Sequence, residues 1–145
     1  MAIPSFQIAT IKGDGIGIDV TDATLAVIDA AQSRVGGFSL RYRQILAGAG
    51  YYQETGLDIE AEGEEMAGAA DAIFLGAIGL PSVRYENGTE ISPHLRLRDR
   101  FQLYAGIRPI KAYPNIPQKL SDARAAAIDM IILRESTEGL FYSAA

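Results

Sequence analysis

The chain has 145 residues, 48% hydrophobic and 21% charged, an ordinary soluble globular composition that suffices for one core but is short for a two-domain enzyme. Its net charge of -5, with basic residues clustered only between Arg96 and Arg108, disfavours nucleic acid, and the absence of cysteine excludes disulfides, thiolate zinc sites and cysteine nucleophiles. No apolar run approaches the roughly 20 residues that span a bilayer, and MAIPSFQIAT lacks the basic-then-apolar pattern of a secretory signal, so no membrane role is expected and the expected location is cytoplasmic.

In chain order, Gln7 to Ile11 reads as a short apolar strand, and KGDGIG then turns the chain into a helix in which Val20, Ala23, Val27 and Ala31 recur at helical spacing. Beyond Gly36-Gly37, Phe38, Leu40 and Tyr42 alternate with Ser39, Arg41 and Arg43, the period of a strand with one wet face. GAGYYQETG reads as a loop, Glu60 to Ala70 as a weak acidic helix, and AIFLGAIG as a buried parallel strand. A long polar loop from Gly79 to Ile91 leads to a helix opening at Ser92-Pro93, a good N-cap followed by a residue favoured in the first turn. A strand LYAGIRP, a proline-punctuated connection YPNIPQKL and another buried strand MIILR complete the pattern. Strands alternating with helices favour an α/β fold.

GDGIG lies between a strand and a helix, but its spacing does not match G-x-G-x-x-G and no later Asp stands where a ribose would need it. A tight turn whose glycines permit positive φ and close packing explains it equally well. The arginines carry more information. At about 100° per residue, Arg96 and Arg100 point to one side of their helix as solvated charges, whereas Arg98 falls between the directions of Phe101 and Leu95 and faces inward. An inward guanidinium requires either a protein carboxylate or a cavity that holds an anion. Arg108 and Arg134 each end an apolar strand, where open parallel sheets collect ligands, although Glu135 or Glu138 could instead neutralise Arg134. Three fixed cations with paired donors suit a small dicarboxylic acid.

GDGIG, DAIFLGAIG, LRLRDRFQLYAGIRPIKAYPN and IILRESTEGLF, in that order, resemble the first part of the isocitrate and isopropylmalate dehydrogenase family, the metal-dependent β-decarboxylating dehydrogenases that include tartrate dehydrogenase. The resemblance covers almost the whole chain. It implies an isopropylmalate dehydrogenase-like, non-Rossmann α/β fold, incomplete here, with residues 1–109 in the large domain and 110–145 beginning a second, dimer-forming one. Carried over by motif, Arg98, Arg108 and Arg134 are similar to the three substrate arginines, and Ser92, six residues before Arg98, to a serine that touches substrate in isocitrate enzymes. His94 replaces an asparagine of those enzymes, and Glu90-Ile91 departs from the acidic position usual in isopropylmalate enzymes. Phe141 occupies the place of the family tyrosine that assists protonation, which makes the adjacent Tyr142 the expected acid. Cofactor contacts are implied at Ile11, Gly76 and Gly79.

The implied activity is NAD-dependent oxidative decarboxylation of a 3-substituted malate, isopropylmalate or tartrate-like, with Mg2+ or Mn2+. The metal ligands and a catalytic lysine are expected beyond Ala145, so the chain alone is expected to be inactive, and a homodimer is implied for the complete protein. The alternatives are an isocitrate-type member, a non-catalytic α/β module that binds a dicarboxylate, and a pseudo-enzyme subunit paired with an active partner.

Overall fold

The computed structural model describes residues 3–138 and places the first strand, β1, at Ser5–Ile11. Ala9, Thr10 and Ile11 are all buried, so this half of the strand is covered on both faces, as expected for the middle of a parallel sheet. Strands β2 (Ser39–Gln44) and β3 (Ala72–Leu75) pair with it in parallel, in the order β2-β1-β3, with Ser5 opposite Ser39 and Ile11 opposite Leu75. β2 keeps the expected alternation: Leu40 and Tyr42 are half-buried while Arg41 and Arg43 are exposed.

Helix α1 (Ile16–Val35) connects β1 to β2. The stripe expected to face the core does not: Val20 is 53% exposed and Val27 68%, while Ala23 and Ala31 are also exposed. Gly17 and Thr21 are buried instead, with Leu25, Ile28 and Gln32 partly covered behind them. That face lies about 110° round the helix from the Val20–Val27 stripe. Small residues face inward at the helix start because a Cβ on Gly17 would stand 2.5 Å from the carbonyl oxygens of both Ala77 and Lys12.

GAGYYQETG is not a loop. It contains helix α2 (Ala49–Thr55), whose first N–H groups are satisfied from a distance: Asp14, 35 residues earlier, accepts from Ala49 N–H through Oδ2 and from Gly50 N–H through Oδ1, each at 2.8 Å. Helix α3 (Gly63–Gly68) falls within the expected acidic segment, and α4 (Pro93–Arg100) begins where Ser92-Pro93 signals it. Ile45, Ala47, Ala49, Ile59, Ala67, Ile91 and Leu97 join Ala9 and Ile11 in the core of this part.

The chain forms two compact units, Met1–Leu97 and Arg98–Ala145. In the second, β4 (Ala105–Lys111) and β5 (Asp129–Glu135) make a two-stranded antiparallel ladder. Both were expected to be strands of a parallel sheet, with MIILR buried. The connection between them contains only a short 3-10 turn at Ala123–Ala127 and no crossover helix, and a return without a crossover gives antiparallel pairing. Met130, Ile131, Ile132 and Leu133 are exposed, Leu133 by 70%. Among the described residues no helix is long and apolar enough to cross a membrane.

Candidate functional site

The order β2-β1-β3 puts β2 on one side of β1 and β3 on the other, so the connections diverge at the carboxyl ends of β1 and β3, where doubly wound sheets open a crevice for ligands. The three residues implied as cofactor contacts meet there. Gly76 N–H donates to the Ile11 carbonyl at 2.7 Å, and Gly79 N–H donates to Asp14 Oδ2 at 2.8 Å. Asp14, itself buried, thereby ties the turn after β1, the loop after β3 and the start of α2 to one carboxylate.

The glycines of this crevice divide by what surrounds them. A Cβ on Gly13 would stand 2.0 Å from the Ala77 oxygen, and one on Gly76 2.2 Å from the Lys12 oxygen, so these two permit backbone to lie against backbone. Gly15 (φ +51) and Gly79 (φ +124) have nothing within 4 Å of an added Cβ and are the open positions. Ile11 is wholly buried. An open groove of about 590 Å³ lies beside the turn, lined by Gly13, Gly15, Gln44, Tyr51 and Glu54 among others. The turn thus has both properties expected of it, positive φ and close packing, and the residues open to a ligand are Gly15 and Gly79.

Helix α4 buries Pro93 and Leu97, with Ile91 just before it, while Leu95 is 51% exposed and Arg98 half-buried. Arg98 therefore flanks the buried face and does not share one with Leu95, because Pro93 and Leu97 are the residues that reach the core. Arg96 is exposed, as expected of a surface charge, but it is also paired. Its Nη1 and Nη2 donate to Asp58 Oδ2 and Oδ1 at 2.7 and 3.0 Å, and its Nε donates to Glu64. Asp58 also accepts the Tyr85 hydroxyl, Tyr85 packs edge-on against Tyr52, and Ser92 N–H points to the Tyr85 oxygen at 3.4 Å. Burial acts to raise the Asp58 pKa, but hydrogen bonds from Arg96 and then Tyr85, together with the Arg96 charge, outweigh it and hold the carboxyl below its ordinary value. The Tyr85 phenol is pushed up, first by burial and then by its bond to Asp58.

In the second unit the ladder register decides which arginines meet. Arg134 pairs with Gly106 and Arg108 with Ile132, so both arginines project from the same face as diagonal neighbours, about 7–8 Å apart. Gly106 presents no side chain opposite Arg134. Glu135 projects from the other face by strand alternation, and its carboxylate accepts from the Thr137 hydroxyl, Thr137 N–H and Glu138 N–H. These bonds, the Thr137 hydroxyl first, pull its pKa down to about 2. Arg108 sits mid-strand, not at a strand end. Arg98 joins this unit from the last turn of α4. Tyr142 and Phe141 lie outside the described residues. Among those described, no three His, Asp or Glu side chains converge as a metal ion would require.

The sequence profile of the isocitrate/isopropylmalate dehydrogenase family matches residues 7–145. A probable tartrate dehydrogenase/decarboxylase of Agrobacterium vitis is 37% identical over 134 residues, covering 92% of this chain and 37% of the relative. The 3-isopropylmalate dehydrogenase of Symbiobacterium thermophilum is 36% identical over 150 residues, covering 98% and 40%. The crystal structure of isocitrate dehydrogenase from Methylococcus capsulatus superposes with a TM-score of 0.72 at 26% identity, over 96% of this chain and 37% of that one. The chain thus spans a little over a third of the length of the curated relatives it matches.

Proposed function

Because the chain belongs to the isocitrate/isopropylmalate dehydrogenase family, we propose that it contributes the carboxylate-binding half of a site for NAD-dependent oxidative decarboxylation of a malate-type 2-hydroxy diacid. The observation that carries this reading is the placement of Arg108 and Arg134 on one face of the β4–β5 ladder. Two guanidiniums at that spacing can each take one carboxylate of a four-carbon diacid through paired charge-assisted bonds. Arg98, in the last turn of α4, is the third substrate arginine that the family resemblance implies, and Ser92, just before the helix, the serine it implies. Orientation of this kind fixes the hydroxyl-bearing carbon before reaction and is worth several kcal/mol in general.

NAD, when bound, would supply the hydride acceptor, and the open backbone at Gly15 and Gly79 leaves room for a ligand in the crevice of the first unit. Loss of hydride and of the hydroxyl proton gives a 2-keto diacid, from which the C–C bond to the β-carboxylate breaks, releasing carbon dioxide and leaving the electron pair in an enolate. A divalent metal, when bound, would hold the enolate charge; no group of three His, Asp or Glu side chains that could hold it lies among the described residues. In the substrate itself we favour isopropylmalate or tartrate over isocitrate, in keeping with the names of the relatives, and a homodimer for the complete protein.

The test is calorimetric titration of the 145-residue chain with tartrate, 3-isopropylmalate, isocitrate and the monoacid lactate. Diacid binding with no response to lactate, weakened about tenfold or more by Arg108→Gln and by Arg134→Gln, is expected; equal responses to diacids and lactate sink the clamp. The chain alone, with NAD and magnesium or manganese, is expected to form no NADH. The alternative is a non-catalytic diacid-binding module that uses the same arginines. Turnover by the complete protein separates the two.

A further inference from the structure

Helix α4 has eight residues and follows a long irregular segment, so its two turns cannot hold their own orientation. Its apolar anchorage is narrow, limited to Ile91, Pro93 and Leu97. Apolar contact alone leaves such a helix free to roll, because it is non-directional. One directional restraint comes from Arg96. Its guanidinium holds Asp58 in the segment after α2 with two bonds and Glu64 in α3 with a third, and Asp58 in turn fixes Tyr85, whose oxygen lies against the Ser92 N–H. All of these residues except Arg98 belong to the first unit. Two positions advance about 200° round a helix, so Arg96 and Arg98 leave opposite flanks of the buried face.

We infer that Arg96 is a positioning residue: by locking one flank of α4 to Asp58 and Glu64 it sets the roll of the helix that presents Arg98 from the other flank, and Ser92 at its start, to a substrate carboxylate. The inference rests on the diacid reading of Arg98. Arg96 itself touches no substrate. A planar fork that engages two carboxylates at once restrains rotation in a way that a single ammonium cannot.

The experiment uses the 145-residue chain as wild type, Arg96→Leu, Arg96→Lys, Asp58→Asn and Arg98→Lys, with far-UV circular dichroism to confirm folding. Two quantities are read on each: hydrogen exchange of the Leu97 to Arg100 amides and the tartrate dissociation constant. Arg96→Leu should speed α4 exchange and weaken tartrate binding, each by about tenfold, and Asp58→Asn should follow it. Arg96→Lys should recover part of both, and it carries the test if Arg96→Leu does not fold. Arg98→Lys should weaken tartrate while leaving α4 exchange as in the wild type. Unchanged α4 exchange in Arg96→Leu overturns the inference, and so does faster exchange with unchanged tartrate affinity, since the network is then structural only. A wild type that binds no tartrate or other diacid overturns the functional reading first, and the positioning role falls with it.

Discussion

The two units hold themselves together by different means. In Met1–Leu97, β1 is flanked on both sides, nine-tenths-buried apolar residues come from strands, helices and loops alike, and Asp14 and Asp58 each draw separate segments onto one carboxylate. In Arg98–Ala145 the described structure is a ladder of two strands, and Ala125 is the one buried hydrophobic residue there among those described. Ile107, Ile131 and Leu133 crowd one face of the ladder and stay exposed. A two-stranded ribbon is marginal alone in water. The first unit has a fixed crevice, whereas the arginine face of the second depends on keeping one strand register.

The largest effects should therefore fall in the first unit, at positions where backbone meets backbone. Gly13→Ala combines φ +74 with a Cβ 2.0 Å from the Ala77 oxygen and should cost more than about 3 kcal/mol in urea unfolding. Gly15→Ala, strained at φ +51 but in open space, should cost only about 1 kcal/mol. Equal losses at the two sites would mean that close packing does not hold the crevice. Asp14→Ala strands three backbone N–H groups, that of Ala49 buried and those of Gly50 and Gly79 partly so, and should cost about 2 kcal/mol by the same measurement. A loss below about 0.5 kcal/mol would remove Asp14 as the tie between the three segments.

A second pair of substitutions sharpens the contrast directly. Leu97→Ala opens a cavity in the first unit's core and should cost about 2–4 kcal/mol, while Leu133→Ser, at a residue 70% exposed, should stay within about 0.5 kcal/mol. A large loss at Leu133 would mean that this face is covered in solution. Hydrogen exchange offers an independent check: amides of Ala9 to Ile11 should exchange roughly a hundredfold more slowly than those of Ile107 and Leu133. Similar rates would place both units in one cooperative block.

What could be read from the sequence follows the range of the interaction responsible. β1, the glycine turn, the wet-faced β2 and the Ser92-Pro93 helix start are written in neighbouring residues, and each is where its local pattern puts it. Helix α2 is different, since its N-terminal bonds come from Asp14 and no local cap marks it. Arg96 read as a surface charge for the same reason: its partners Asp58 and Glu64 lie 38 and 32 residues away. The inward face of α1 was hidden because close approach selected Gly17 and Thr21 over larger apolar residues. For Arg108 and Arg134 the residue type pointed to an anion, but their common face comes from the antiparallel register, which spacing along the chain does not encode.

The smallest effect concerns the end of β5. Glu135 is drawn down from 4.5 to about 2, most by the Thr137 hydroxyl and then by backbone N–H groups of Thr137 and Glu138. Because the folded pKa is depressed, the turn gains stability that is present above pH 4.5 and is lost as the pH falls through about 2. Carboxyl carbon NMR should give a Glu135 midpoint near 2, and Thr137→Val should move it upward without reaching 4.5, since the backbone donors remain. An unchanged midpoint in that variant would assign the shift to the backbone alone. The carboxylate is exposed and its donors are local, so the urea midpoint of the first unit should not move. A shift there would show that the turn after Arg134 is coupled to the core of the other unit, and the separation between the two would have to be abandoned.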